Sequence, residues 1–305
     1  MNGDKFFSDL SLYGPGTSRV PSCTQKQARI YCRKFFRSHY ENFLVTSWLI
    51  PRRLRQHFYN IYAYCRWSDN LADEIKAPDQ RIPLLDWWEQ QLESCYNGQA
   101  GHPVFVALAE TIHEFGIPIR PLRDLLTAFR RDQYQVRYQT FQDLLGYCQH
   151  SANPVGKLIL YLGRCHRPEL LPWSDSICTG LQLANFCQDI ARDFDLGRIY
   201  IPVESWNEFG YAETDFEQRK VNKNFQAMLS FEVDRAEAYL VAGRPLVAHV
   251  PPSLSIQVNL FVEGGRSILK AIRKRNYDVW SHRPTVGPLT KLRSLLNAWR
   301  AIPKS

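Results

Sequence analysis

No two of the eight cysteines in this 305-residue chain stand at metal-ligand spacing. They fall at 23, 32, 65, 95, 148, 165, 178 and 187 with no C-x-x-C pair, which argues against a zinc cluster. Cys65 and Cys187 sit inside apolar helical patterns, where a buried thiol is the ordinary reading. There is no block of like charge such as a nucleic-acid-binding arm carries. The densest basic groups, Pro51-Arg52-Arg53-Leu54-Arg55 and Arg273-Lys274-Arg275, are each embedded in a helical pattern. Membrane-spanning runs are also missing. The stretch 245–262 has no formal charge, but Pro251-Pro252 and several polar residues make it a poor spanning helix. The opening Met1-Asn2-Gly3-Asp4-Lys5 has no apolar core of a signal peptide, so a cytoplasmic setting is the default expectation. Gly264 and Gly265 are too few for a dinucleotide fingerprint. No fixed-period repeat, low-complexity tract, βαβ rhythm or linker interrupts the chain.

What the chain does have is apolar residues at 45%, charged residues at 22%, and 17 Phe, 15 Tyr and 8 Trp. That composition fits a globular protein with a sizeable aromatic interior, usable as core or as hydrocarbon pocket. The net charge of +8 suits an anionic partner: nucleic acid, an acidic membrane surface or a phosphorylated substrate. With no basic arm, nucleic acid is the least supported of the three. Residues 1–25, with Gly14-Pro15-Gly16 and Pro21, read as an irregular leader, and 26–305 as one domain. Helical periods dominate from Lys26 onward, and Pro51 opens a helix running through Leu54, Phe58, Ile61, Tyr62 and Cys65. Further helices are expected near 82–97, 103–115, 120–132, 139–150, 154–164, 174–195, 213–242 and 253–276. The fold class is all-α.

One chemical pattern occurs twice. In Tyr62-Ala63-Tyr64-Cys65-Arg66-Trp67-Ser68-Asp69-Asn70-Leu71-Ala72-Asp73, the carboxylates of Asp69 and Asp73 stand four apart on one helical face, with Arg66 and Tyr62 on the same stripe. In Asn185-Phe186-Cys187-Gln188-Asp189-Ile190-Ala191-Arg192-Asp193, the oxygens of Asn185, Asp189 and Asp193 form an i, i+4, i+8 ladder. Like charges at i, i+4 cost a helix a few tenths of a kcal/mol unless a cation compensates. Magnesium takes carboxylate oxygens together with waters and substrate phosphates. Two ladders facing one another across a helical bundle would suit a magnesium-bridged diphosphate, with arginines adding bidentate contacts. A single D-x-x-x-D often does nothing but face solvent. Here both ladders lie among apolar residues (Ile61, Tyr64, Leu71 and Ala72; Leu183, Ala184, Phe186 and Ile190), where unpaired carboxylates are expensive.

These residues, with their flanks, resemble the squalene/phytoene synthases, and within them the hydroxysqualene synthase branch of bacterial hopanoid pathways. The resemblance runs from about Tyr40 to Pro284. It is carried by Glu41-Asn42-Phe43, Leu49-Ile50-Pro51-Arg52-Arg53, Tyr62-Ala63-Tyr64-Cys65-Arg66 with Asp69, and Tyr147-Cys148 with Pro154-Val155-Gly156. Asn185-x-x-Gln188-Asp189-x-x-x-Asp193, Gly197-Arg198-Ile199-Tyr200-Ile201-Pro202, Asn276-Tyr277-Asp278-Val279 and Arg283-Pro284 complete it. It implies an isoprenoid-synthase helical bundle with a central cavity and dependence on Mg2+. By match, Asp69, Asp73, Asn185, Asp189 and Asp193 bind metal, and Arg66 and Arg198 bind diphosphate. Tyr62 and Tyr147 stand as catalytic candidates, and Asn42, Phe43 and Gln188 as pocket residues. Ordinary core packing is an open alternative for Phe43 and Tyr62. The chain departs from many relatives at Asn70, where they carry a second aspartate.

The branch resemblance implies presqualene diphosphate as substrate, loss of diphosphate, and capture of the cation by water to give hydroxysqualene. The neighbouring alternatives are presqualene-diphosphate or squalene synthase acting on farnesyl diphosphate, and phytoene synthase acting on longer chains. A non-catalytic helical assembly factor is the alternative from another class. Peripheral contact with the inner face of the membrane is compatible with the enzyme reading, through Arg52, Arg53 and Arg55.

Overall fold

The computed structural model describes residues 2–17, 21–39 and 50–287. The chain divides into two compact units, Met1–Tyr134 and Gln135–Ser305, although no linker marks the boundary in the sequence. Among the described residues every regular element is a helix, and one isolated parallel bridge, Arg137 to Ile199, is the sole strand-like pairing.

The first unit holds α1 (Asn2–Tyr13), α2 (Gln25–His39), α3 (Arg52–Asp73), α4 (Pro78–Tyr96), α5 (Pro103–Phe115) and α6 (Arg120–Arg131). The leader is therefore not irregular throughout. Phe6 of α1 is buried edge-on against Trp67, and Asp9 accepts a hydrogen bond from Tyr31. Anchors of this kind are invisible to a reading keyed on Gly14, Pro15 and Pro21. Local chemistry sets the helix starts. Thr24 and Gln27 cap α2 reciprocally, and prolines open α4 and α5, where their missing N–H costs nothing. Gly116, in the left-handed conformation (φ +61°), closes α5. α3 is the central helix, packed by α2, α4, α5 and α6. Its core face presents Tyr64, Trp67 and Leu71, with Trp67 stacked on Trp88 at 5.2 Å.

The second unit holds α7 (Phe141–Ser151), α8 (Asn153–Leu162), α9 (Leu171–Gln188), α10 (Ile190–Asp195), α11 (Val203–Glu208), α12 (Glu213–Glu217), α13 (Lys223–Gly243), α14 (Leu246–His249) and α15 (Pro252–Lys274). α9 lies at its centre against α13, α15, α8 and α7. It approaches α13 at backbone range: a Cβ on Gly180 would stand 2.9 Å from the Leu240 nitrogen, and one on Gly243 2.6 Å from the Trp173 oxygen. Two expected helices divide. The run 213–242 breaks because Arg219 takes a left-handed turn (φ +48°) and Asn222 then caps α13 through the Phe225 amide. The run 174–195 breaks at Asp189, which ends α9 and begins α10.

No helix among the described residues is long and apolar enough to cross a membrane.

Candidate active site

In the first unit the pattern on α3 sorts its side chains by face. Ile61, Ala63, Tyr64, Trp67, Ser68, Asn70, Leu71 and Ala72 are buried, while Tyr62, Arg66, Asp69 and Asp73 form a half-exposed stripe. Buried polar contacts on the core side fix the rotation of the helix. Asn60 donates to the Ala107 carbonyl and Thr111, His57 pairs with Thr111, and Tyr64 donates to the Leu122 carbonyl. On the stripe, Arg66 Nη1 donates to Asp69 Oδ2 at 2.5 Å, while Arg66 Nε is buried with no hydrogen-bond partner. The Tyr62 ring meets Phe36 edge-on at 4.9 Å. Its hydroxyl is pushed up to about 12, chiefly by burial, with Arg66 pulling down and Asp69 pushing up. It therefore stays a proton donor at neutral pH. Asn70 points to the core, 2% exposed, with Oδ1 unpartnered. The departure from relatives thus lies off the stripe of Asp69 and Asp73, so the i, i+4 pair stands without it.

In the second unit the ladder survives the break between α9 and α10. The amide of Asp189 donates to the Asn185 carbonyl and that of Asp193 to the Asp189 carbonyl, each at 2.8 Å, so the i, i+4 linkage is continuous although Asp189 leaves helical geometry. Asn185 is exposed, Asp193 half-buried, and Asp189 only 5% exposed. The next turn brings up Arg198, whose amide donates to the Asp193 carbonyl at 2.8 Å. That turn is held from the side: Arg137 Nη1 donates to the Gly197 carbonyl at 2.8 Å, and the Ile199 amide donates to the Val136 carbonyl. Gly197 takes φ +77° there, a conformation glycine adopts freely.

Behind the ladder, Tyr147 of α7 is buried among aromatic rings. Tyr138, Phe186 and Tyr200 lie at 5.5, 6.1 and 5.6 Å from it, and Phe186 stacks on Tyr200 at 4.1 Å. Tyr138 is not among the residues that carry the resemblance, and Tyr200 is among them without a role. Arg283 likewise stands in the resemblance without a role. Its guanidinium grips both carboxylate oxygens of Asp189 and donates to Gln188 Oε1 at 3.1 Å, while Gln188 Nε2 donates back to the Pro284 carbonyl. The Asp189 bonds, with the field of Asp193, raise the guanidinium above its already high ordinary value. The Gln188 side chain, expected in a substrate pocket, is thus taken up by this segment. Asn42 and Phe43 lie outside the described residues.

The donor sets bear on the expected metal. Among the described residues no three His, Cys, Asp or Glu side chains gather as a ready-made metal cage. Each ladder instead offers two carboxylates, with one of them held by an arginine: Arg66 on Asp69 and Arg283 on Asp189. Two carboxylates completed by water and phosphate suit Mg2+, which seldom uses an all-protein cage.

The family model for squalene/phytoene synthases matches residues 36–290. The chain belongs to the squalene/phytoene synthase family. A phytoene synthase of Arthrospira platensis is 31% identical over 299 residues, which is 94% of this chain and 96% of that protein. A hydroxysqualene synthase of Rhodopseudomonas palustris is 32% identical over 82% of this chain and 84% of its own length. The crystal structure of a squalene synthase from Alicyclobacillus acidocaldarius superposes with a TM-score of 0.80 at 42% identity, over 83% of this chain and 96% of that one. The squalene/phytoene synthases have the class I terpenoid synthase fold and are prenyltransferase-type synthases acting on prenyl diphosphates; this chain is an enzyme of that type.

Proposed function

We propose that the enzyme converts presqualene diphosphate to hydroxysqualene, with Mg2+ held by Asp69 and Asp73 on one ladder and by Asn185, Asp189 and Asp193 on the other. The observation that supports this reading is the likeness to hydroxysqualene synthases of Rhodopseudomonas palustris and Sinorhizobium fredii, each 32% identical over more than four fifths of this chain. The squalene synthase structure at 42% identity favours the squalene side of the family over the phytoene synthases. Bound Mg2+ would neutralise charge gathering on the departing diphosphate. Arg66 and Arg198 bind the diphosphate oxygens, and their planar donor forks suit that group better than a lysine would. The carbon–oxygen bond to diphosphate breaks, and the carbocation left behind rearranges. It then takes the oxygen of water and releases one proton. The faces of Tyr147, Tyr200 and Phe186 supply a negative quadrupole for positive charge. Tyr62, protonated at neutral pH, donates a hydrogen bond and orients oxygen, either of phosphate or of water.

Head-to-head joining of two prenyl diphosphates, as in phytoene or squalene synthases, is the second reading. It is favoured by the near-complete coverage of the phytoene synthase. The non-catalytic reading is disfavoured by the retention of four ladder aspartates together with Arg66 and Arg198. A cytoplasmic location with peripheral membrane contact belongs to the same proposal. Exposed Arg52 and Arg53 open α3, and vesicle binding that persisted in high salt would count against their docking on anionic lipid.

The test is product identification by mass spectrometry after incubation with Mg2+ and presqualene diphosphate, farnesyl diphosphate or a longer prenyl diphosphate. Hydroxysqualene from presqualene diphosphate, absent with Asp189→Ala, is the expected result. Phytoene-type or squalene-type products from the simpler diphosphates would move the enzyme to the second reading.

A further inference from the structure

The carboxylate that the proposed function assigns to metal already has a cation on it. Asp189 is 5% exposed, and a charge so buried is costly without a partner. Its partner comes from 94 residues further along the chain, with Arg283 Nε on Oδ1 and Nη2 on Oδ2, a bidentate grip that leaves each oxygen engaged. The contact is reciprocal at the next residue pair, since Gln188 Nε2 holds the Pro284 carbonyl and Arg283 Nη2 holds Gln188 Oε1.

The segment is delivered by a built turn. After α15, Asn276 and Tyr277 take left-handed conformations (φ +50° and +64°) that reverse the chain. Tyr277 pairs with Ser230 at 2.9 Å, and Asp278 accepts from the Trp280 and Ser281 amides. Trp280 then packs edge-on to Phe194 at 5.7 Å, one residue beyond Asp193. Arg283 itself remains 42% exposed, so its side chain has room to leave.

We infer that Arg283 is the resident counter-cation of Asp189, occupying the oxygens a divalent metal would take, so that metal entry and release of the 279–287 segment are one exchange. This rests on the metal assignment of Asp189 made above. Arg283 is a positioning residue in this scheme: it holds the Asp189 carboxylate aimed while no metal is bound, and its departure uncovers Gln188 and Asp189 together. Asp193 is the other acidic group that acts on Arg283, so a divalent cation held by these two carboxylates would neutralise both of the charges that keep Arg283 in place.

Manganese, titrated into the full chain by electron paramagnetic resonance, is the probe, with hydrogen–deuterium exchange over 279–287 as the second readout. In the native protein, exchange over that segment rises as manganese binds. Arg283→Met binds manganese about tenfold more tightly, the scale of one charge-assisted bidentate contact, and its segment exchanges fast with or without metal. Arg283→Lys keeps the charge but loses the fork, so it binds tighter than the native protein; a residue acting only as a nearby charge would leave the lysine variant at native affinity. Unchanged affinity in both variants, or segment exchange indifferent to manganese, overturns the exchange while leaving the metal site intact. No binding by the native protein, or equal binding by Asp189→Asn, overturns the metal assignment and the exchange with it.

Discussion

The helix that carries the second ladder is set in place by a residue with no side chain. At Gly180 an added Cβ would stand 2.8 Å from Leu240 Cγ and 2.9 Å from the Leu240 nitrogen. The second of these is backbone of α13 and cannot rotate away. Restoring ordinary van der Waals separation requires α9 and α13 to part by about 0.5 Å. Overpacking of this kind costs about 1–3 kcal/mol, and the helix-propensity gain of Ala over Gly returns about 1 kcal/mol. The net expectation for Gly180→Ala is a loss of about 0–2 kcal/mol. Gly264, in the interior of α15, is the matched control, because an added Cβ meets nothing within 4 Å there. Gly264→Ala keeps the propensity gain without the clash, so it stabilises by about 0.5–1 kcal/mol. Thermal and chemical denaturation of the two variants measure these terms directly. Asp189 lies nine residues beyond Gly180, so a displaced α9 also lowers turnover in Gly180→Ala and leaves Gly264→Ala at native activity. If both alanines shift stability in the same direction, the close approach of α9 and α13 does not hold that helix where the structure has it.

Other substitutions probe other links. Asn70→Asp would put a carboxylate at a 2% exposed position whose oxygen has no partner, costing about 2–4 kcal/mol at neutral pH. Much of that loss is regained at pH 5 as the buried acid protonates, so urea unfolding at the two pH values checks both parts. His102 is held neutral by burial, its value lowered to about 3. The unfolded chain protonates near 6.5, so the stability this ring supports is present above that pH and is lost as pH falls toward 3, at about 1.4 kcal/mol per unit. His102→Asn keeps a cap for α5, and its stability deficit against the native protein should narrow by that slope between pH 6 and 4. If Tyr147 acts through its ring, Tyr147→Phe retains most turnover and Tyr147→Leu loses 10- to 100-fold, about 1.4–2.7 kcal/mol; equal losses in the two would assign the effect to its hydroxyl.

The all-helical class was readable because apolar spacing near 3.6 recurs from α2 onward, and the ladders were readable because i, i+4 carboxylates in apolar surroundings demand a cation. Where single residues decide geometry, the pattern had less to offer. α1 is held as a helix by Phe6 and Asp9 docking on Trp67 and Tyr31, partners 61 and 22 residues away in sequence. The break at Asp189 follows no glycine or proline, and the structure offers only its tie to Arg283 as a local cause. Arg283 was quoted as part of the family resemblance without a role, since nothing in its neighbours shows where the turn at Asn276 and Tyr277 sends it. The pairing of Tyr138 with Tyr200 is hidden for the same reason: residues 62 positions apart stack at 5.8 Å only because their backbones run side by side.

That side-by-side run also bears on the order in which the molecule assembles. The amides of Ile199, Val203 and Glu204 bond the carbonyls of Val136, Tyr138 and Gln139 at 2.8–3.1 Å, closing a loop that contains α7, α8, α9 and α10. Helices form from neighbours in sequence and cost little chain entropy, whereas this closure must wait until the enclosed helices have packed. Arg198 is therefore among the last groups to be fixed on refolding. A pulse-labelling experiment should find the Ile199 amide gaining protection after those of α9, and recovery of turnover should follow Ile199 rather than recovery of helical signal.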